Sequence, residues 1–446
     1  MNPQLESTLR EKIIASTEGF FPEMTLRDTL NPNLPNKAVV AIGMRRSGKT
    51  TWLKQCQKEY IARGLSREDL LFFNFEDERL FDFEAVDLQT IIHIYNRLYP
   101  NLKSVRRALF LDEIQLIQGW ETFVRRILDE GQYDVYLSGS SAKLLSREIA
   151  TSMRGRGWEV EIFPFSFREI LKHHQHLPKN DCDHFSQKER CEMDHHFENY
   201  LLKGGLPEAQ GLSRADHHQL LQSYVDALLM RDIVERYNIS NPTALRWMVR
   251  RLLSSPGGLF SISKFNVDLK SQGISVGKET LMEYLDHLED AYLCESISIQ
   301  TDSEKRRQVN PRKIYPIDTG FIPVFDRSAK TNLGHALESV VYLHLRRQKN
   351  DISYVKTSQG YEVDFYARSI DHGENLIQVS YSVSDNDTLK REVRALLAAA
   401  DEHPKAKLLL LTGTSFPLNH NIPSNITCLP TWEWILRESI GLNSAK

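Results

Sequence analysis

From residue 43 to residue 51 the chain reads Gly-Met-Arg-Arg-Ser-Gly-Lys-Thr-Thr, a G-x-x-x-x-G-K-T spacing. Glycines at those two places let main-chain N–H groups curl around phosphate oxygens, and the lysine that follows brings positive charge to the β and γ positions of a nucleotide. Gly43, Arg45, Arg46, Ser47, Gly48, Lys49, Thr50 and Thr51 are the candidate nucleotide contacts, with the Thr50 hydroxyl as a ligand for Mg2+. Hydrolysis also needs a carboxylate for the metal and a group that orients water. The segment RALFLDEIQ at 107–115 offers both: Asp112 to help hold Mg2+ and Glu113 to polarise the lytic water. After the apolar run Tyr133–Leu137, Ser138 is expected to sense the γ-phosphate, with Ser140 as its substitute; the plain alternative is a serine-rich turn capping a helix near Ala142. Arg154 and Arg156 lie in a glycine-broken loop. Either would serve as an arginine finger across a subunit boundary, which makes a homo-oligomer an expectation, and either would equally suit a solvated loop.

These residues need a scaffold. Ala38–Ile42 is a short β-branched run, and TWLKQCQKEYIARG after the loop has helical spacing, so the loop joins a strand to a helix. Strands are expected at 38–42, 71–75, 108–111, 133–137 and 159–163, alternating with helices. That alternation predicts a parallel α/β sheet with the nucleotide at the carboxyl ends of its strands. Asn36-Lys37 is followed by Ala-Val, so the N-K-x-D guanine reader is missing and ATP is the expected nucleotide.

With 446 residues the chain has room for about three domains, at roughly 150 residues each. Hydrophobic residues at 41% and charged residues at 26% exclude a chain that is disordered throughout. A net charge of −3 gives no global basic field, so any nucleic-acid contact must be local. No apolar run has signal-peptide or membrane-span length, and the five cysteines are sparse, so a cytoplasmic location with reduced thiols and no membrane partner is expected. Eight histidines and cysteines crowd residues 173–196, but their spacing fits no familiar zinc site, which favours a solvated helical insert.

The phosphate loop, LFLDEI, SGSSAKLL, FPFSFREIL at 163–171 and KGGLPEA at 203–209 together resemble the bacterial and archaeal AAA-type ATPases with a DUF4143 carboxyl-terminal region. RDIVERY at 231–237, KIYPIDTGF at 313–321, GHALESVVYLHL at 334–345 and YEVDF at 361–365 continue that resemblance in order. It implies an ATP-binding protein.

Downstream, helix-like stretches at 260–270 and 278–290 followed by strands in YLCESISI and RKIYPID give a winged helix-turn-helix pattern. Lys305, Arg306, Arg307, Arg312 and Lys313 would make a basic wing able to touch nucleic-acid phosphates, whereas Glu279, Glu283, Asp286, Glu289 and Asp290 argue against reading of DNA by the second helix. A protein-docking module is the competing reading, its client unknown. From Gly334 onward a helix with Glu338, strands at 353–356, 362–366 and 376–381, a helix from Asp387 and a strand at 407–412 look like a restriction-endonuclease-like core. Its acids are Glu338 and Asp364, but Gln378-Val379-Ser380 stands where E-x-K would supply a second carboxylate and a lysine, so the core is expected to be degenerate unless a displaced lysine such as Lys356 substitutes.

The expected fold class is therefore α/β: a P-loop NTPase sheet at 1–170, a helical linker at 171–240, a winged-helix module at 241–325 and a nuclease-like domain at 326–446. The expected activity is Mg2+-dependent ATP hydrolysis coupled to rearrangement of the carboxyl-terminal modules. An ATP-gated nuclease or remodeller acting on DNA, and a nucleotide-dependent switch with negligible turnover, are the alternatives.

Overall fold

All five residues of β1 (Ala38–Ile42) are buried, as a strand flanked on both sides in a parallel sheet requires. In this computed structural model, which describes residues 3–32, 34–100, 106–139, 153, 155–326, 332–370, 373–382, 386–415 and 422–441, the chain divides into two compact units, Met1–Phe163 and Pro164–Lys446. The first unit adds β2 (Leu70–Asn74), β3 (Arg107–Asp112), β4 (Tyr133–Ser138) and β5 (Gly157–Glu161) to one sheet in the order β2-β3-β4-β1-β5. Every pairing in it is parallel. All five expected strands form, displaced by no more than two residues at either end.

The helices of this unit are α1 (Pro3–Glu18), α2 (Lys49–Ala62), α3 (Leu88–Leu98) and α4 (Trp120–Glu130). Trp52, Leu53, Cys56 and Tyr60 of α2 pack on Val39, Ala41, Phe110 and Tyr136 of the sheet, with the Phe110 and Tyr136 rings stacked at 4.7 Å. That packing fixes where α2 starts, and hence where its amino-terminal N–H groups point. Helix α4 ends where Gly131 turns left-handed at φ 69°, the usual glycine stop.

Gly43 leaves β1 at φ +144°, and a Cβ there would stand 2.4 Å from the Ile162 carbonyl oxygen. The loop and the strand end beside β5 are thus too close for any side chain. Gly43→Ala is expected to lower stability by about 2 kcal/mol, read as a lower urea midpoint at unchanged slope.

The second unit opens with α5 (Phe167–His173), α6 (Gln187–Lys203) and α7 (Arg214–Ala227), the last running into a π-helical turn at Leu228–Val234. Next come α8 (Pro242–Ser254), β6 (Leu259–Phe260), α9 (Ile262–Ser271), α10 (Lys278–Asp290), β7 (Cys294–Ile297), α11 (Glu304–Val309) and β8 (Arg312–Pro316). The three strands form an antiparallel sheet with β8 central. The stretch expected as a basic wing contains the short helix α11, started by the Ser303 hydroxyl, which accepts from the Arg306 N–H.

After α12 (Phe321–Phe325) and α13 (Leu333–Arg347), β9 (Asp351–Lys356), β10 (Glu362–Ser369) and β11 (Gly373–Ser380) pair antiparallel; β12 (Lys407–Thr412) and β13 (Ile426–Pro430) extend the sheet in parallel. Helix α14 (Asn386–Glu402) buries Leu389, Leu396 and Ala399 against Leu376, Leu408 and Leu410. Strand β13 and helix α15 (Thr431–Gly441) have no counterpart in the sequence-based expectation. The two sheets of this unit are stitched by main chain: Tyr354 N–H donates to Ser298 O, Gln300 N–H donates to Tyr354 O, and the Tyr354 hydroxyl reaches Pro311 O. No helix among the described residues is long and apolar enough to cross a membrane.

Candidate functional site

The loop between β1 and α2 turns on Gly43 and on Gly48, which is left-handed at φ +101° and precedes the first residue of α2. Lys49, 5% exposed, directs its Nζ at the Gly43 and Met44 carbonyl oxygens, 3.0 and 2.9 Å away. Ser47 is fully buried, and its Oγ has no hydrogen-bond partner among the described residues. Arg46 is exposed and left-handed at φ 63°, an uncommon conformation for a side chain of its size. Arg45 and Thr51 are half-buried on the same turn. A 14-residue helix starting beneath the loop supplies amino-terminal N–H groups and the positive end of its dipole.

Opposite the loop, the Thr50 hydroxyl donates to Asp112 Oδ2 at 2.9 Å. Asp112 also receives Asn74 Nδ2 at 2.8 Å and the Ser138 hydroxyl. Burial pushes its carboxyl above the ordinary pKa, the bonds from Ser138 and Thr50 pull it back, and Glu113 adds to the rise. No cationic side chain hydrogen-bonds this acid among the described contacts, so a divalent ion against it would reverse an unfavourable burial. Glu113 itself is left-handed at φ 55° and half-buried. Its Oε2 accepts from Gln115 Nε2 at 2.6 Å, and its N–H donates to Ser138 Oγ at 3.3 Å.

Strand order explains this convergence. With β4 between β1 and β3, Ser138 comes to the sheet edge between the loop and the acidic pair. Its hydroxyl proton is engaged by Asp112, so in this conformation Ser138 braces both acids. Ser140 and Arg154 lie outside the described residues. Arg156 precedes β5 at the amino ends of the strands, its carbonyl bonded by Ala38 N–H and its guanidinium paired with Asp129. That is the far end of β1 from Gly43, roughly 16 Å away along five residues. Within its own chain Arg156 therefore does not reach the loop, and the finger expectation for it is left with a neighbouring subunit's site.

Two contributors escaped the sequence reading. Asn74, at the end of β2 and in register with Asp112, had a signal: a polar residue closing an apolar strand at the carboxyl edge. Arg27 had none, since it sits in an irregular segment. Its buried guanidinium donates through Nη2 to the Ser47 carbonyl at 3.1 Å and to the Phe163 carbonyl, bridging the phosphate loop and the last residue of the unit.

Elsewhere, the wing expectation is corrected in part. Lys305, Arg306 and Arg307 are exposed on α11, but Lys313 is 2% exposed and faces carboxylates, out of reach of any nucleic acid. Lys356, the residue considered as a displaced lysine, is exposed at the end of β9, and Lys313 contacts Asp364 instead. In the histidine-rich stretch the His176 and His196 rings stack at 4.4 Å. Among the described residues no three His, Cys, Asp or Glu side chains stand so as to hold a metal ion.

The AAA domain family matches residues 35–171, the span that carries the loop and the acidic pair. A domain of unknown function, DUF8612, matches residues 194–330, a different family from the DUF4143 that the sequence resemblance gave for the carboxyl-terminal region. The uncharacterized protein MJ1544 of Methanocaldococcus jannaschii is 34% identical over 416 residues, covering 90% of this chain and 89% of its own. An uncharacterized protein of Haemophilus influenzae is 29% identical over 377 residues, 84% of this chain and 88% of its own. Among solved structures, the Walker-type ATPase PABY2304 of Pyrococcus abyssi aligns with TM-score 0.38 and 16% identity over 72% of this chain and 95% of that one. Aligned over nine-tenths of its length to MJ1544 at 34% identity, the chain belongs to the same family as that protein, and its residues 35–171 are an AAA domain of the AAA-type ATPases.

Proposed function

We propose that this protein is a Mg2+-dependent ATP hydrolase whose nucleotide state sets the arrangement of its second unit. The observation that carries the reading is the Thr50 hydroxyl held 2.9 Å from the Asp112 carboxylate, beside a buried Lys49 and an orphaned Ser47 Oγ. A hydroxyl, a carboxylate with no cation bonded to it, and a loop of main-chain amides are the donor set that a magnesium-bound triphosphate takes. In this reading Gly43–Thr51 cradle the phosphates, Lys49 neutralises their charge, and Thr50 with Asp112 holds Mg2+. Bound ATP with its magnesium would supply a γ-phosphoryl group open to in-line attack. Glu113, steadied by Gln115, orients water and draws on its proton. Arg27 supports coupling, because one guanidinium grips both the loop and the residue from which the chain enters the second unit.

Within that unit we read residues 171–240 as connecting helices and 241–325 as a winged-helix module. The order helix, strand, two helices, then two strands supports this. Residues 326–441 are read as a nuclease-like core, supported by three antiparallel strands after α13 with parallel β12 beyond them. Exposed Glu279, Glu283 and Asp286 on α10 would repel a duplex, so any contact with nucleic acid is assigned to Lys305, Arg306 and Arg307.

Calorimetric titration of the full chain with ATP tests the proposal. Saturable uptake of one ATP per chain, weaker in EDTA, and steady phosphate release that requires Mg2+ are expected. Uptake without release would leave a switch; no uptake would remove the proposal.

A further inference from the structure

The interior of the second unit holds a lysine at the centre of three acids. Lys313 Nζ lies 2.9 Å from Asp364 Oδ1, 3.0 Å from Glu362 Oε1 and 3.1 Å from Glu338 Oε1. An ammonium has three protons, and here each faces a different carboxylate. The Tyr315 hydroxyl donates to the same Glu338 oxygen at 2.8 Å, and Val379 N–H donates to Asp364 Oδ2 at 3.0 Å. The lysine cannot drift from this position, because it sits on β8, the central strand of its sheet, paired with Leu259 on one side and Ile297 on the other. Gly257 closes the cluster from above: a Cβ there would stand 2.6 Å from Glu338 Oε2.

The acids come from the elements that carry metal ligands in an active nuclease core, the helix (Glu338) and the strand (Asp364). On the neighbouring strand, Gln378 turns its oxygen to the Asp364 N–H and its nitrogen to Glu392, taking no part in the cluster. The carboxylates thus converge on a nitrogen supplied by the preceding module.

We propose that Lys313 is a built-in cation, filling the place in this core where a divalent metal ion would otherwise bind, so that the core is held closed by its own chain. This inference rests on the nuclease-like reading above. It accounts for the presence of acids without an E-x-K lysine: an ammonium from β8 offsets part of their charge and occupies the point on which they converge. Removing the ammonium should then be enough to create an ion site.

The test uses the full chain without nucleotide, with Mn2+ as the probe. Wild-type protein is expected to show the same melting temperature with and without millimolar Mn2+. Lys313→Met, nearly the same shape without the charge, is expected to melt roughly 5 °C or more lower. Mn2+ should restore at least half of that loss and bind at one added site by electron paramagnetic resonance. Restoration should vanish in Lys313→Met/Asp364→Asn. If Lys313→Met does not fold, Lys313→Met/Glu338→Gln, which removes one charge of each sign, is measured with the same expectation. A loss that Mn2+ does not restore in either variant reduces the cluster to an ordinary ion-pair network and removes the nuclease-like reading with it. Mn2+-dependent DNA cleavage by wild-type protein that disappears in Asp364→Ala overturns the closed-core proposal alone, because the nuclease-like reading would then stand.

Discussion

A Glu113→Gln chain is expected to take up ATP as tightly as the unsubstituted protein while releasing phosphate at least about 100-fold more slowly. The substitution keeps the shape of the side chain and its reach to Gln115, and it removes the negative charge that polarises water. The main chain at 113 is left-handed at φ 55°, a strained position that costs about 1–3 kcal/mol. Glutamine meets the same backbone demand as glutamate, so folding should be little changed. The Thr50 hydroxyl bonds Asp112 and not Glu113, so in this reading the substitution leaves the metal-holding carboxylate in place. Binding and turnover should therefore separate. Parallel calorimetry and steady-state phosphate release measure the two, and equal turnover by both proteins would remove Glu113 from the chemistry.

The second large effect is expected at Lys49. Lys49→Ala should weaken ATP affinity by about 100-fold or more, since charge-assisted contacts to phosphate contribute roughly 1.5–3 kcal/mol and among the described residues no other buried lysine belongs to the loop. The lysine is 5% exposed and donates to the main-chain oxygens of Gly43 and Met44. Its removal takes nothing from the apolar packing of α2 on the sheet, so the far-ultraviolet circular dichroism spectrum should be retained. Lys49→Arg is not expected to rescue, because a planar guanidinium does not reproduce the compact ammonium that sits at the Gly43 and Met44 carbonyl oxygens. Unchanged affinity in the alanine variant would place the nucleotide elsewhere or nowhere.

The three central strands of the first sheet could be read from sequence because their largely apolar runs end at the candidate site residues. Ala38–Ile42 stops at Gly43, Ala108–Leu111 at Asp112 and Tyr133–Leu137 at Ser138, so periodicity and function mark the same boundaries. What was missed lacks such coincidence. Arg27 acts from an irregular segment, and only the fold brings residues 27, 47 and 163 together. The sequence pattern groups Lys313 with its neighbours in a basic wing, because charge along a sequence says nothing of which face of a strand it occupies. The pleat puts Lys313 inward, while Lys305, Arg306 and Arg307 lie exposed on a helix where a hairpin was expected. Strand β13 is short and bracketed by prolines at 423 and 430, leaving too little alternation to register.

The cross-strand stitching through Tyr354 and the ammonium on β8 have a practical corollary for anyone dissecting this molecule. A cut near residue 326, where composition and pattern invite one, would strip Glu338, Glu362 and Asp364 of the Lys313 ammonium and expose the edge of β9 that Ser298 and Gln300 cover. Recombinant pieces begun there should come out insoluble, whereas those begun at Pro164, retaining the whole compact unit, should stay in solution.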